Sequence, residues 1–437
     1  MKRGNTSVRF KHQAVSLNKR DSIIPAAQAT QKRSQEYSKK VMDELLEGKK
    51  VVPSVSKYEF VKEIGEGAQG AVFVGHQISE CGIKKKIAIK VIKEEYGEKE
   101  IKRLVSEAKL LALLTQGNVV EMIALESVNI SNNDNSKIYL LIQELIDGQS
   151  LEKLLIQHKK KNLLMNPALV GFTLHKAALA LDEAHNLKSS TGKKLNLIHR
   201  SLSPSNILYN DKAGIIKLSD FGMATLDDQE LSADKLRGKP AYMAPEQFQQ
   251  RNFACTDIWA LGVIGYEALT GFLPYQISGS TLSGAVERLI KQSHFELRSP
   301  AEILNPKESN LPLKKLSDII MSCLNPNGHK RPTADELQHR LASEYLYASG
   351  LGPTTRTLAS YLALIKEMPA QKDIVVSDIK LDPETEKGLI RTLHIKKPIE
   401  AIQYRTAKAF QPEMLKAIQA KETNPCLKPK GNEIFKE

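Results

Sequence analysis

The sequence lacks long apolar runs and has few cysteines, and both features narrow the class of protein. No uninterrupted apolar stretch approaches roughly 18 residues, so we expect no transmembrane segment. The first residues lead into polar sequence without the apolar stretch of a signal peptide. The four cysteines are scattered and show no metal-ligand spacing, which favours a reducing compartment: Cys81, Cys255, Cys323 and Cys426.

Positive charge is concentrated at the N-terminus. The chain of 437 residues has a formal net charge of +13, and residues 1–57 hold 13 Lys and Arg against 5 Asp and Glu. This composition predicts a basic, partly disordered extension. The alternative is an arm that contacts an acidic surface on a partner. No aromatic residues alternate with the basic ones, so nucleic acid is not expected as the main partner.

The patterning changes after residue 57. Apolar, β-favouring runs separated by turn residues occupy much of residues 58–146. From there to about Tyr345, apolar residues recur mostly at helical spacing. This order predicts an α+β protein of two lobes, residues 58–146 and 147–345. A linker signal near Gly350 precedes a helical C-terminal extension of unknown role, residues 346–437.

A glycine-rich segment lies between two predicted strands. Gly65, Gly67 and Gly70 follow the spacing G-x-G-x-x-G, and Val72 completes the pattern. Glycines let backbone N–H groups approach a phosphate without a Cβ in the way. A strand rather than a helix follows, which argues against a dinucleotide-binding turn. A glycine-rich hairpin without a ligand is the alternative.

A lysine lies inside the next apolar strand candidate. Lys90 ends the run Ile-Ala-Ile-Lys, where an ammonium is costly unless its charge is paired. Glu107, in the charged helix-like stretch that follows, is a suitable partner. A surface lysine at a strand end is the alternative, but its place after the glycine segment favours a phosphate-binding role.

Further motifs follow in order along the chain. Residues 198–208 read Ile-His-Arg-Ser-Leu-Ser-Pro-Ser-Asn-Ile-Leu, and Asp220-Phe221-Gly222 comes soon after. Ala244-Pro245-Glu246, residues 257–262 and Arg331 lie downstream. With the glycine segment and the strand lysine, these motifs make the chain resemble the Hanks-type Ser/Thr protein kinases, and a bacterial subset of them. The resemblance implies a bilobal protein-kinase fold with an N-lobe antiparallel sheet plus one helix and a mostly helical C-lobe.

The resemblance also implies that the protein binds ATP and Mg²⁺. Lys90 would hold the α- and β-phosphates, and Asn206 and Asp220 would bind the metal. Backbone groups of Glu144 and Ile146, in the hinge between the lobes, would bond the adenine edge. The other residues implied at the nucleotide are Ile64, Gly65, Gly67, Gly70, Val72, Ala88 and Leu208. Glu246 and Arg331 would form a structural ion pair, and Leu111, His199 and Phe221 would stack.

Two positions depart from the family pattern. Ser201 stands where the family has the catalytic Asp that accepts the substrate proton, and a serine is no base at neutral pH. Ser203 replaces a lysine that lies near the γ-phosphate in the family. Lys239, in the later run Gly-Lys-Pro-Ala-Tyr, is implied to supply the missing positive charge, as in the bacterial subset.

Three functions remain open. The first is a pseudokinase-like protein that binds ATP and Mg²⁺, has weakened or absent phosphoryl transfer, and acts on or docks to another protein. The second is an active Ser/Thr kinase that uses Lys239. The third is another ATP-dependent transfer, adenylylation or glutamylation, on the same fold. We expect a cytoplasmic protein, with secretion of a bacterial effector into a host cell as the alternative.

Overall fold

The computed structural model describes the chain in segments. They are residues 51–53, 57–67, 70–92, 105–106, 108–114, 117–129, 137–189, 191–221, 225–226, 239–249, 251–275, 297–304, 311–348, 350 and 353–368. By their contacts the residues group into two compact units, Met1–Gly97 with Ala124–Gln143, and Glu98–Ile123 with Glu144–Glu437. The predicted N-lobe, residues 58–146, includes the stretch Glu98–Ile123 that groups with the second unit. The lobe boundaries therefore stay a prediction.

The first unit is built on a six-stranded sheet in the order β1-β2-β3-β4-β6-β5. Its strands are β1 (Val51–Pro53), β2 (Lys57–Gly67), β3 (Gly70–Ile78), β4 (Lys84–Ile92), β5 (Met122–Asn129) and β6 (Lys137–Glu144). Strands β1 to β4 pair antiparallel in succession. Strand β1 lies in the segment predicted to be a partly disordered extension, and its backbone pairs with the start of β2.

Alternating side chains give this sheet one apolar face. Tyr58, Phe60 and Phe73 are buried, as are Ile87 and Ile89 on the neighbouring strand. The Phe60 and Phe73 rings meet edge to face with centroids 5.5 Å apart. Period-two alternation is the pattern of a strand with one buried face, which explains why the apolar runs in this part of the sequence form strands.

The second unit is mainly helical. Its helices are α1 (Leu151–Lys160), α2 (Pro167–His185), α3 (Ala254–Thr270), α4 (Pro300–Leu304), α5 (Leu311–Cys323), α6 (Ala334–Arg340) and α7 (Thr355–Glu367). Its short strands are β7 (Gly148–Ser150), β8 (Leu197–Ile198), β9 (Ile207–Asn210), β10 (Ile215–Leu218) and β11 (Thr225–Leu226). The predicted α+β class, with an antiparallel sheet and a helical second part, is confirmed. None of the described helices is both long and apolar enough to cross a membrane.

Helix α2 is the buried centre of this unit. It begins at Pro167, a residue suited to the first turn, and the Asn166 side chain accepts a hydrogen bond from the Ala168 N–H at 2.9 Å. Most of its residues are buried, and α3, α5 and α6 share one hydrophobic core with it. The core fixes the strands and loops that follow α2, which carry the predicted catalytic residues.

The C-terminal helix α7 belongs to the same core. Leu358, Tyr361, Leu362 and Ile365 recur at i, i+3, i+4 and i+7, and all four are fully buried. Helix α7 spans Thr355–Glu367. It lies within the segment predicted as an extension of unknown role, yet it packs against α1 and β10 as a part of the second unit.

Close contacts with neighbouring segments hold both ends of α7. Near its C-terminus the Lys161 ammonium donates to the carbonyl oxygens of Ile365 and Met368, where a cation is favoured by the helix dipole. Near its start, Gly214 has a φ of +62°, and a Cβ there would lie 1.7 Å from the Thr355 oxygen. The turn between β9 and β10 therefore requires glycine because α7 lies against it.

Candidate active site

The first unit gathers four of the predicted nucleotide-contact residues on adjoining strands. Strand pairing places Val72 opposite Lys90 and Gly65 opposite Val72, while Ala88 lies two residues before the lysine on β4. Paired residues of antiparallel strands lie on the same face, and residues two apart share it. Lys90 is only 6 % exposed. The lysine and the two small apolar residues, Val72 and Ala88, therefore share the face opposite the apolar core of the sheet.

The glycines of this segment have different roles. Gly70 has a φ of +150°, and a Cβ there would lie 1.8 Å from the Val91 carbonyl oxygen, so the close approach of β3 and β4 requires glycine. A Cβ on Gly65 would meet no atom of the described residues within 4 Å. The fold does not require glycine at that position, which leaves room there for a ligand. Ile64 beside it is 42 % exposed.

The predicted hinge is anchored by a lysine that the sequence did not single out. The Glu144 carboxylate pairs with the Lys217 ammonium and accepts the Glu121 N–H at 2.8 Å. The Glu144 N–H bonds the Glu121 carbonyl oxygen at 3.0 Å. These contacts fix the side chain and the N–H of Glu144. Ile146, two residues later, is half-buried.

Leu208 lies on the outer face of a short sheet in the second unit. On strand β9 its neighbours Ile207 and Tyr209 are fully buried, whereas Leu208 is half-buried. It pairs with Ser150 of β7 and with Lys217 of β10. This placement leaves the leucine side chain on the face away from the core.

A buried aspartate anchors the predicted catalytic loop. The Asp257 carboxylate accepts the backbone N–H groups of His199 and Arg200, each at 2.8 Å, and contacts His185 Nε2 at 2.9 Å. Burial alone would raise the pKa of the Asp257 carboxyl. The hydrogen bond and charge of His185 and the contacts from His199 outweigh burial and hold that pKa below its usual value. The carboxylate therefore stays ionised and fixes the loop backbone.

His199 links this loop to the Asp-Phe-Gly motif. Its Nε2 donates to the Ser219 carbonyl oxygen at 2.9 Å, and its ring lies 4.5 Å from the Phe221 ring, centroid to centroid. Leu111 and Phe221 belong to the apolar core of the second unit. The structure thus contains the His199–Phe221 contact of the stack predicted for Leu111, His199 and Phe221.

Two residues of the motifs have unusual backbone angles. Arg200 has a φ of 68° and Asp220 a φ of 60°. Left-handed backbone is uncommon for residues other than glycine and is held only where the surroundings impose it, which occurs mainly at functional sites. The surroundings here are the Asp257 bond to Arg200 and the bond from the Ser219 N–H to the Asn206 carbonyl oxygen at 2.8 Å.

Hydroxyl groups surround the predicted metal ligand of this loop. Asn206 is 7 % exposed, and its Oδ1 accepts the Ser203 hydroxyl at 2.8 Å. Ser203 also lies 2.8 Å from the Ser205 hydroxyl. Ser201 is half-buried, and no hydrogen bond joins its hydroxyl to another described residue.

Lys239 lies beside the first turn of α1. Its ammonium is 2.5 Å from the Glu152 carboxylate, and both side chains are about half exposed. Helix α1 in turn contacts the short 3₁₀ helix Pro204–Asn206 of the catalytic loop. Replacement of the missing loop lysine by Lys239 stays a prediction.

The ion pair implied for Glu246 and Arg331 is present. The guanidinium donates to both carboxylate oxygens, at 2.6 Å and 2.9 Å, and the Arg331 side chain is completely buried. It also lies 4.9 Å from the centroid of the Trp259 ring. This bidentate pair ties the Ala-Pro-Glu motif to the core around α3.

Several predictions concern residues outside the described segments. Glu107 and Gly222 are among them, as are residues 1–50 and 369–437. The Lys90–Glu107 pair and the contact of the basic N-terminus with an acidic surface stay predictions. Sequence reasoning missed three positioning residues, Lys217, Glu152 and His185. None of the three belongs to a recognisable motif. The only sequence signal is at Lys217, a polar residue between the apolar residues of β10.

The chain is similar to known proteins over its central part. The family described as protein kinase domain matches residues 58–342. The chain belongs to the protein kinase family. Its relatives include the serine/threonine-protein kinase PkaA of Streptomyces coelicolor, 29 % identical over 315 residues, covering 69 % of this chain and 51 % of the relative. The resemblance to Hanks-type kinases is therefore confirmed.

Other kinases match over less of their length. A probable serine/threonine-protein kinase of Clostridium perfringens is 27 % identical, covering 64 % of this chain and 37 % of the relative. The tyrosine-protein kinase MasK of Myxococcus xanthus is 28 % identical, covering 68 % and 44 %. The chain thus spans about half or less of the length of these kinases. Their substrates are not transferred to it by the match.

Proposed function

We propose that this protein kinase-family chain binds ATP with Mg²⁺ and transfers phosphoryl groups slowly, or not at all, to hydroxyl groups of another protein. One observation carries the proposal. The catalytic loop is anchored at both ends, by Asp257 at its start and by Ser219 at Asn206, while the base position holds Ser201. The scaffold for phosphoryl transfer is retained, and the general base is missing.

The residues present fit the nucleotide and the metal. Gly65 leaves open space beside β3, and Lys90 is buried on the strand opposite Val72. Asn206 and Asp220 offer the oxygen ligands that Mg²⁺ prefers, one or two from the protein and the rest from phosphates and water. Among the described residues, no group of three or more His, Cys, Asp or Glu side chains could hold a metal by itself. The bound metal would neutralise the charge of the phosphates.

Ser201 limits the rate. Loss of a general base typically lowers a rate by about 10²–10⁴-fold. Phosphoryl transfer depends mainly on positioning and on electrostatic stabilisation, since its transition state is loose. Lys90, Asn206 and Asp220 would still supply those two contributions. Slow transfer rather than none is therefore the expected outcome.

A fully active kinase is the second candidate, and one contact favours it. The Lys239–Glu152 pair holds the lysine beside α1, and α1 contacts the Pro204–Asn206 turn of the catalytic loop. A positive charge near this turn would take the place of the family's loop lysine. If the protein is an active kinase, Lys239→Met should lower its rate of phosphoryl transfer. If the protein only binds nucleotide, the substitution should have no such effect.

The test combines binding with transfer. Binding of ATP to the native state must raise the apparent melting temperature, and Mg²⁺ should increase that shift for the wild type. Asp220→Ala should lose the Mg²⁺-dependent part. Labelled ATP then reports transfer to the chain itself or to a basic protein, with mass spectrometry of the product. An absent thermal shift refutes ATP binding, and an AMP adduct instead of a phosphate favours adenylylation.

The biological setting stays a prediction. A protein substrate or docking partner follows from the proposed reaction. Cytoplasmic location and secretion into a host cell rest on the sequence alone. Labelling of the acceptor residue will also decide between Ser/Thr and Tyr, because relatives named for both specificities match the chain.

A further inference from the structure

Ser203 forms a hydrogen bond that the family pattern, which has a lysine at this position, does not predict. Ser203 is 2 % exposed, and its hydroxyl donates to Oδ1 of Asn206 at 2.8 Å. A hydroxyl has a single proton, so the Ser205 hydroxyl, 2.8 Å away, must donate to Ser203. The three side chains form a short directed chain of hydrogen bonds that ends on the predicted metal ligand.

The Ser203 hydroxyl bonds the oxygen of the Asn206 amide and not its NH₂ group. A side-chain amide can turn by half a rotation, which would exchange its oxygen for its NH₂ group. The backbone of Asn206 is held at the same time, because its N–H bonds the Ser203 carbonyl oxygen at 3.0 Å and its carbonyl oxygen accepts the Ser219 N–H at 2.8 Å. One lone pair of Oδ1 accepts from Ser203, and the other remains for a cation.

We propose that Ser203 is a positioning residue that aims Oδ1 of Asn206 at the Mg²⁺ of bound ATP. The inference rests on the proposed function, since it concerns the metal site of that reaction. Hydrogen-bond partners of a metal ligand fix its direction, and their loss typically costs about 10–100-fold in metal affinity. A serine in place of the lysine would then remove a positive charge near the phosphate. In return it would fix the orientation of a metal ligand.

The experiment measures metal binding, not turnover. Free Mn²⁺, a substitute for Mg²⁺ with a resonance signal, is titrated into the full chain with a saturating non-hydrolysable ATP analogue. We expect Ser203→Ala to weaken Mn²⁺ binding about 10–100-fold and to leave metal-free binding of the analogue unchanged. Ser203→Thr, which keeps the hydroxyl, should bind Mn²⁺ within about threefold of the wild type. Ser317→Ala is the matched control. Ser317 is fully buried in α5, and its hydroxyl accepts the Ala301 N–H at 3.1 Å.

A double substitution separates positioning from general destabilisation. With Asn206→Ala already present, Ser203→Ala should cause no further loss of Mn²⁺ affinity, because the two residues act through one oxygen. An additional loss, or wild-type affinity in Ser203→Ala alone, overturns the inference while leaving the proposed function intact. A wild-type chain that binds neither the analogue nor Mn²⁺ overturns both.

Discussion

The contact between Tyr361 of α7 and His158 of α1 should contribute a measurable part of the stability of the second unit. Both side chains are almost completely buried, and their rings stack with centroids 5.7 Å apart. His158 Nδ1 lies 2.7 Å from the Leu154 carbonyl oxygen, so Nδ1 carries the proton. Nε2 of the neutral ring therefore accepts the Tyr361 hydroxyl.

The loss of stability caused by Tyr361→Phe can be worked out from this contact. Tyr361→Phe removes the donor and leaves a buried acceptor unpaired, which costs about 1–3 kcal/mol of unfolding free energy. Adding His158→Leu removes the acceptor too, and replacing both partners by apolar groups restores most of that loss. The double variant should therefore be more stable than Tyr361→Phe alone.

The histidine also predicts the pH dependence of stability. Burial, with a smaller contribution from the charge of Lys161, lowers the pKa of His158 from 6.5 to about 4. Between these values the unfolded chain binds a proton that the folded chain does not. The contribution of neutral His158 to the unfolding free energy is thus fully present above pH 6.5. It falls by about 3 kcal/mol as the pH drops to 4. His158→Leu should remove this part of the pH dependence.

Urea unfolding followed by tryptophan fluorescence is a suitable assay. The sequence has one tryptophan, Trp259, which is fully buried in α3 of the same unit. Curves at several pH values between 4 and 7.5 are compared for wild type, His158→Leu and the exposed control His339→Gln. The control should follow the wild type. Parallel pH profiles for wild type and His158→Leu would refute a buried, neutral His158.

Four further substitutions test other contacts. Gly70→Ala should cost about 2 kcal/mol or more, because its Cβ would overlap a carbonyl oxygen of β4, whereas Gly65→Ala should leave thermal stability unchanged. Glu246→Gln leaves the buried guanidinium of Arg331 without its charge partner, so urea unfolding should show a loss of about 3–5 kcal/mol. Lys239→Met breaks an exposed pair and should change stability by less than about 1 kcal/mol. Equal losses for both glycines, or a small loss for Glu246→Gln, would contradict the described packing.

Local patterns were sufficient to predict much of the fold. The alternation in β3 and β4 and the helical spacing in α2 are strong because each element has one buried face or is buried throughout. The Asn before Pro167 and the buried stripe of α7 are equally visible in the sequence. These features act over a few residues, so a single sequence contains them.

Contacts between distant residues could not be predicted in the same way. The pairing of His158 with Tyr361 joins positions 203 residues apart, and the Glu144–Lys217 pair joins positions 73 apart. Nothing in either local pattern names the partner. For the same reason the predicted C-terminal extension gave no sign that its first helix completes the core of the second unit. The hydrogen bond from Ser203 to Asn206 was missed because the serine was compared with the family's lysine and not with its own neighbours.

Restoring the missing carboxylate tests the central claim most directly. The measurement is the initial rate of phosphoryl transfer from labelled ATP for wild type, Ser201→Asp and the combined Ser201→Asp/Asp220→Ala variant. The Ser201 hydroxyl has no hydrogen-bond partner among the described residues, so the substitution breaks no described hydrogen bond of this side chain. We expect Ser201→Asp to raise the rate about 10²–10⁴-fold, and the combined variant to lose the gain. An unchanged rate in Ser201→Asp, with ATP and Mg²⁺ still bound, would contradict the claim that Ser201 is what limits this kinase-family site.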